Sequence, residues 1–122
     1  MMATRSIADP RPRIVEVGGS HLLDGGRCRE GHALLRTFAR CPRCGAAVDE
    51  ARFGPLGRVW SYTSVHIGSR PDETVPYTLA YVDLVDGPRV LLRLPGNPAG
   101  VGANIRLVST DEDGNPRGEE AD

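Results

Sequence analysis

Cysteines at positions 28, 41 and 44, with His32 between the first two, give the pattern C-x3-H-x8-C-x2-C. Its second half, Cys41-Pro42-Arg43-Cys44-Gly45, is tight. Two cysteines three apart on a turn can aim both thiolates at one ion. The glycine that follows lets the chain take a left-handed conformation, so that backbone N–H groups turn toward the sulfurs. A structural zinc site takes four N or S ligands in a tetrahedron, and this stretch offers four: Cys28, His32, Cys41 and Cys44. Glu30, His21 and an external water compete with His32 for the fourth place, and thiols without metal are the other reading of the set. A closed four-ligand site leaves no position for an activated water, so the expected role of a bound Zn2+ is structural. A rubredoxin-type iron carrier would need four thiolates, and the chain has three cysteines.

A chain of 122 residues makes one domain or two very small ones. Hydrophobic residues are 39% and aromatic residues 5%, so the core is modest, and a metal staple would help a chain with 15 glycines and 10 prolines. The net charge of −1 gives no electrostatic case for nucleic-acid binding. An odd cysteine count with one C-x2-C suits a metal better than a disulfide framework. The first twelve residues lack the apolar stretch of a signal peptide, and no apolar run reaches the roughly 18 residues of a membrane span. The expectation is a cytoplasmic protein that makes no membrane contact.

Residues 1–25 read as a loose arm with a short strand at 14–17 (IVEV), and residues 26–51 as a zinc ribbon. Residues 33–40 (ALLRTFAR) form either a short strand pair or one helical turn. From Gly57 the pattern turns to β. Residues 58–67 (RVWSYTSVHI) alternate with period two and are rich in β-branched and aromatic types, which predicts a strand. Residues 77–85 (YTLAYVDLV) and 89–94 (RVLLRL) flank Asp86-Gly87-Pro88, a hairpin signal. Residues 104–108 (NIRLV) close the set. The acidic segment 110–122 carries almost no apolar residue and reads as a disordered tail. The predicted fold is therefore mainly β: a rubredoxin-like zinc ribbon at 26–51 followed by a small antiparallel OB-fold barrel at 52–109.

The ordered set of pieces resembles a known family. They are Leu23-x3-Arg27-Cys28; Cys41-Pro42-x-Cys44-Gly45; Gly57-x2-Trp60-Ser61-Tyr62-Thr63; Pro76-Tyr77-x2-Ala80-x-Val82-Asp83-Leu84; Gly87-Pro88-Arg89-Val90; and Gly102-x2-Ile105-x-Leu107-Val108. The chain is similar, from about Val15 to Val108, to the acyl-CoA-associated zinc-ribbon/OB-fold family, domain of unknown function 35. Members usually carry C-x2-C in the first knuckle. Here Gly31 stands in place of its second cysteine, and His32 follows one residue later. The resemblance implies a non-catalytic accessory subunit of a thiolase-like enzyme, be it a thiolase, an acyltransferase or a retro-aldolase acting on acyl-CoA. It further implies that the OB domain helps to hold a CoA thioester or completes the partner's channel, in lipid or steroid metabolism, while the ribbon packs on the partner.

Other signals weigh less. Trp60, Tyr62, Tyr77 and Tyr81 fall on barrel strands, where packing is the ordinary role and base stacking the sharper one. Arg58, Arg70, Arg89 and Arg93 could meet CoA phosphates through bidentate guanidinium contacts, or could be solvated arginines at strand edges. No nucleophile–base–oxyanion set appears, nor a glycine-rich phosphate loop with a lysine, so the chain is expected not to be an enzyme by itself. The alternatives to the accessory-subunit reading are a single-stranded nucleic-acid-binding zinc-ribbon OB module and a stand-alone acyl-CoA-binding protein.

Overall fold

A computed structural model describes residues 11–68 and 70–121. They form nine strands: β1 (Ile14–Val17), β2 (Ser20–Cys28), β3 (Ala33–Leu34), β4 (Val48–Phe53), β5 (Leu56–Val65), β6 (Tyr77–Leu84), β7 (Arg89–Leu94), β8 (Asn104–Thr110) and β9 (Pro116–Glu120). Among the described residues there is no helix, and so none long and apolar enough to cross a membrane.

The strands make two units. β2 is the spine of a four-stranded sheet and pairs antiparallel with β1, β3 and β4. The strands β5-β6-β7-β9-β8 close into a barrel of the OB type. Its ladders are antiparallel except for the closing contact, where β7 meets β9 in parallel at Arg93 and Arg117. The period-two pattern explains the barrel's interior: Thr78, Ala80, Val82 and Leu84 of β6 point inward, as do Val90, Leu92 and Leu94 of β7 and Ile105 and Leu107 of β8. Fully burying one such aliphatic side chain contributes about 1.5–3 kcal/mol. Leu23 of β2 and Phe53 of β4 join this same core, so the two units share one hydrophobic interior. A smaller cluster of Cys28, Leu34 and Cys41, flanked by Phe38, Ala46 and Val48, lies under the metal motif.

One expectation is corrected here and another, open between two forms, is decided. Of the segment 110–122 expected as a disordered tail, the described residues 110–121 are ordered as strand and turn. β8 continues to Thr110, the segment turns at 111–115, and β9 pairs with β8 from Thr110↔Pro116 to Ile105↔Glu120. This strand needs few apolar side chains because it buries little more than Pro116 and Gly118. A Cβ on Gly118 would stand 2.9 Å from Ile105 and 3.0 Å from Leu92, so the absent side chain is what lets β9 lie against the core. The linker at 33–40, left open between a strand pair and a helical turn, is a two-residue strand followed by bends and an isolated bridge, Arg40↔Ala47. Strand β4 also runs through the boundary expected at 51/52 and continues to Phe53.

Candidate metal centre and exposed aromatic face

Two turns build the cluster. At the first, between β2 and β3, the Cys28 N–H donates to the His32 carbonyl at 3.0 Å, and the Gly31 N–H to the Cys28 carbonyl at 2.9 Å. Gly31 takes φ +98°, which turns His32 back toward Cys28. At the second, the Gly45 N–H donates to the Cys41 carbonyl at 2.8 Å, with Gly45 at φ +78°. The ladder of β2 with β4 and the Arg40↔Ala47 bridge bring the two turns face to face.

One ligand atom from each of Cys28, His32, Cys41 and Cys44 falls within 4.8 Å of all the others. Cys28 Sγ stands 3.7 Å from Cys44 Sγ and 3.3 Å from His32 Nδ1, and Cys41 Sγ stands 3.6 Å from the same nitrogen. A tetrahedral zinc with bonds of about 2.3 Å to sulfur and 2.0–2.1 Å to nitrogen needs edges of about 3.8 Å between sulfurs and 3.6 Å between sulfur and nitrogen. The donor set therefore fits a metal of that size. The 3.7 Å separation is far beyond a disulfide bond of about 2.05 Å, and all three cysteines are free. Glu30 and His21 are not members of the cluster.

Local dipoles favour charge on the sulfurs. Burial raises the Cys28 thiol. The backbone N–H groups of His32 and Glu30 and contacts with Cys44 and Cys41 outweigh that effect and bring it down to about 6. The His32 N–H reaches Cys28 Sγ at 3.3 Å, and the Arg43 N–H reaches Cys41 Sγ at 3.4 Å. At Cys44 the Ala46 N–H favours the thiolate, but burial and the neighbouring sulfurs outweigh it and the thiol is pushed up. The Cys28 thiol thus gives up its proton easily and the Cys44 thiol with difficulty, as expected where negative sulfurs crowd together. A bound cation would favour the thiolate at both.

One residue beside the cluster escaped sequence reading as a linker. Arg27 donates to the Gly31 carbonyl at 2.9 Å and to the Asp86 carbonyl in the β6–β7 turn, and lies 5.3 Å from the Phe53 ring centroid. It ties the first metal turn to the barrel. Its place one residue before Cys28 was visible in the sequence, but the distant carbonyl it meets was not.

Three of the four aromatic residues expected on barrel strands, Trp60, Tyr62 and Tyr81, lie on the surface rather than in the core. Trp60 is 51% exposed, Tyr81 45% and Tyr62 38%, and Leu91 beside them is 42% exposed. Trp60 follows buried Val59 in the outward place of the β5 alternation, and the register shift between Val59 and Ser61 leaves it without a paired residue on β6. Trp60 and Tyr81 meet edge to face with centroids 6.2 Å apart, and Arg89 lies 3.8 Å over the Trp60 ring. Asp83 holds Arg89 by contacts of 2.7 and 3.2 Å. The result is an assembled array of Trp, Tyr and Arg open to solvent.

The arginines considered for phosphate contact are mostly engaged within the chain. Arg70 pairs with Asp113 at 3.2 Å, and Arg89 with Asp83. Arg93 faces Glu73 and Asp111, each at 3.7 Å, and stacks 4.0 Å over Tyr77. Of the four, only Arg58 lacks a carboxylate among the described residues.

Known proteins share this architecture. A family model described as "ChsH2, C-terminal OB-fold domain" matches residues 50–110, half of the chain. A DUF35 domain-containing scaffold protein of Pyrococcus furiosus is 39% identical over 74 residues, covering 59% of this chain and 54% of that protein. Benzoylsuccinyl-CoA thiolase subunit BbsA of Geobacter metallireducens is 36% identical over 91 residues, covering 70% of this chain and 60% of that protein. The chain therefore spans little more than half the length of these curated relatives. The solved structure of an Ltp2-ChsH2(DUF35) aldolase superposes with a TM-score of 0.63 at 28% identity, over 82% of this chain and 85% of that one.

Proposed function

The chain belongs to the family of the ChsH2 C-terminal OB-fold domain, DUF35, and from that premise we propose that it is a non-catalytic partner subunit of a thiolase-like enzyme acting on acyl-CoA. Two relatives support this reading by name, one a thiolase subunit and the other part of an aldolase assembly. The observation in this chain that carries it is the exposed Trp60–Tyr81–Arg89 array. Tryptophan, tyrosine and arginine are the residue types that dominate binding energy at protein interfaces, most effectively when held rigid before contact. Here Asp83 fixes Arg89, Arg89 covers Trp60, and Trp60 abuts Tyr81, so little side-chain freedom is lost on docking.

The division of labour follows. The barrel face of β5–β7 docks on the partner and helps to complete its acyl-CoA site. Cys28, His32, Cys41 and Cys44 hold one Zn2+, whose contribution when bound is to cross-link the two turns. Arg27 passes that rigidity to the β6–β7 turn at the end of the docking face. The expected setting is the cytoplasm, where thiols stay reduced.

The test is capture of the tagged chain from its host, with identification of what stays bound by mass spectrometry. A thiolase-like protein in near-stoichiometric amount is the expected result. Recovery of the chain alone at low salt would overturn the reading.

A further inference from the structure

The barrel is least closed beside β7, which meets β9 through a single pair, Arg93 and Arg117. An apolar groove of about 250 Å3 opens there. Leu79, Leu91, Leu92 and Pro116 supply its apolar lining, and Arg11 and Pro12, the first two described residues, stand in its wall. The volume lies below the roughly 300–1,000 Å3 typical of small-molecule sites, so the groove suits a side chain better than a whole ligand. Leu79 and Leu91 also line a second hollow of about 200 Å3, together with Tyr62 and Tyr81. The two hollows therefore form one apolar track from Arg11 and Pro12 to the aromatic face, and no carboxylate lines it.

The groove also holds an unmet donor. Arg93, which lines it, places both terminal nitrogens near carboxylates, yet its Nε is buried and has no acceptor among the described residues. A buried donor without a partner is costly, and a main-chain carbonyl laid in the groove would satisfy it. Apolar walls beside a slot for a carbonyl fit a short peptide segment that carries one aliphatic side chain. The chain itself supplies such a segment. Ile7 stands four residues before Arg11, with uncharged Ser6 and Ala8 on either side. Four extended residues span up to about 14 Å, enough to cross a groove of this size. A tethered side chain meets its site at an effective concentration of about millimolar, so even weak seating fills it.

We propose that Ile7 seats against Leu79 and Leu91 of its own molecule, with a main-chain carbonyl of its segment on Arg93 Nε. The segment then covers the Leu91 margin of the aromatic face until a partner displaces it. The seating of Ile7 is independent of what the protein docks on, and only the competition rests on the docking reading.

NMR of the full chain with labelled isoleucine and leucine methyls tests the seating without any partner. Nuclear Overhauser contacts from the Ile7 methyls to those of Leu79 and Leu91 are expected, unchanged on dilution. Ile7→Asp should shift the Leu79 and Leu91 methyl signals and leave those of Leu34, beside the metal motif, in place. Absence of these contacts would overturn the proposal, and so would their loss on dilution, which would assign the groove to a second copy of the chain. The competition is tested with the captured thiolase-like protein. A groove filled about 70–90% of the time predicts that Ile7→Asp binds that protein about three- to tenfold more tightly than the wild type. Equal affinity, with the contacts present in the wild type, would overturn the competition.

Discussion

His32 differs from its three partners in charge as well as element. Three thiolates and a neutral imidazole around a divalent cation leave one net negative charge, where four thiolates would leave two. Its Nδ1 lies against both Cys28 and Cys41, so removing the ring opens one vertex of the tetrahedron and leaves two buried sulfurs facing a gap. His32→Ala is expected to lower bound zinc per chain by at least half and to lower the melting temperature, whereas His32→Cys should retain zinc. Elemental analysis of the purified variants checks this, and full zinc content in His32→Ala would contradict the ligand assignment. Asp111 organises the turn into β9. Its Oδ1 accepts from the N–H groups of Asp113 and Asn115, both at 2.9 Å, its Oδ2 accepts from the Asn115 side chain at 3.2 Å, and Arg93 lies 3.7 Å away. Burial raises its carboxyl pKa, but the Asn115 and Asp113 N–H groups and Arg93 outweigh burial and hold it below the ordinary value. A depressed native pKa means stability that is fully present above the unfolded value of about 3.9 and lost as pH falls through the native one. Asp111→Asn should cost about 1–2 kcal/mol in urea unfolding at pH 7 and flatten the acid limb of the stability curve below pH 4. An unchanged acid limb would remove Asp111 from that role.

At the scale of elements, what the sequence revealed depended on how each strand is buried. β6 and β7 were legible almost to the residue, because Ala80, Val82 and Leu84 alternate with solvent-facing neighbours and Asp86-Gly87 marks the turn. The C-x3-H-x8-C-x2-C spacing likewise pointed at the four donors that the fold brings together. β9 was hidden because PRGEE offers no β-branched or aromatic residue, and its place depends on a glycine fitting against Ile105 and Leu92 across the barrel. The outward face of β5 was hidden for another reason. Alternation separates two faces without saying which one is covered, and the shift after Val59 changes the phase partway along. Gly118→Val tests the close fit. It improves local strand propensity, yet it should destabilise by about 1–3 kcal/mol through overpacking against Ile105 and Leu92, measured by denaturant unfolding. A neutral or stabilising result would mean that β9 is held by its ladder alone.

Across the whole molecule, the four-stranded sheet and the barrel are bound by shared parts rather than by a linker. Leu23 and Phe53 cross into the barrel core, Gly87 of the hairpin turn packs on Phe53, and Arg27 joins the first metal turn to Asp86. The candidate metal centre and the aromatic face are thus fixed relative to one another. Sequence resemblance supplied the family and its partner class, while the proposed docking face could be named only from the folded surface, where Trp60 and Tyr81 stand side by side from different strands. The most direct test of that account is the affinity of the purified chain for its captured thiolase-like protein, wild type against Trp60→Ala/Tyr81→Ala, by calorimetry. Two central aromatic anchors at about 2 kcal/mol each predict a loss of roughly a thousandfold, with unchanged zinc content and melting temperature. Wild-type affinity in the double variant would contradict docking through this face.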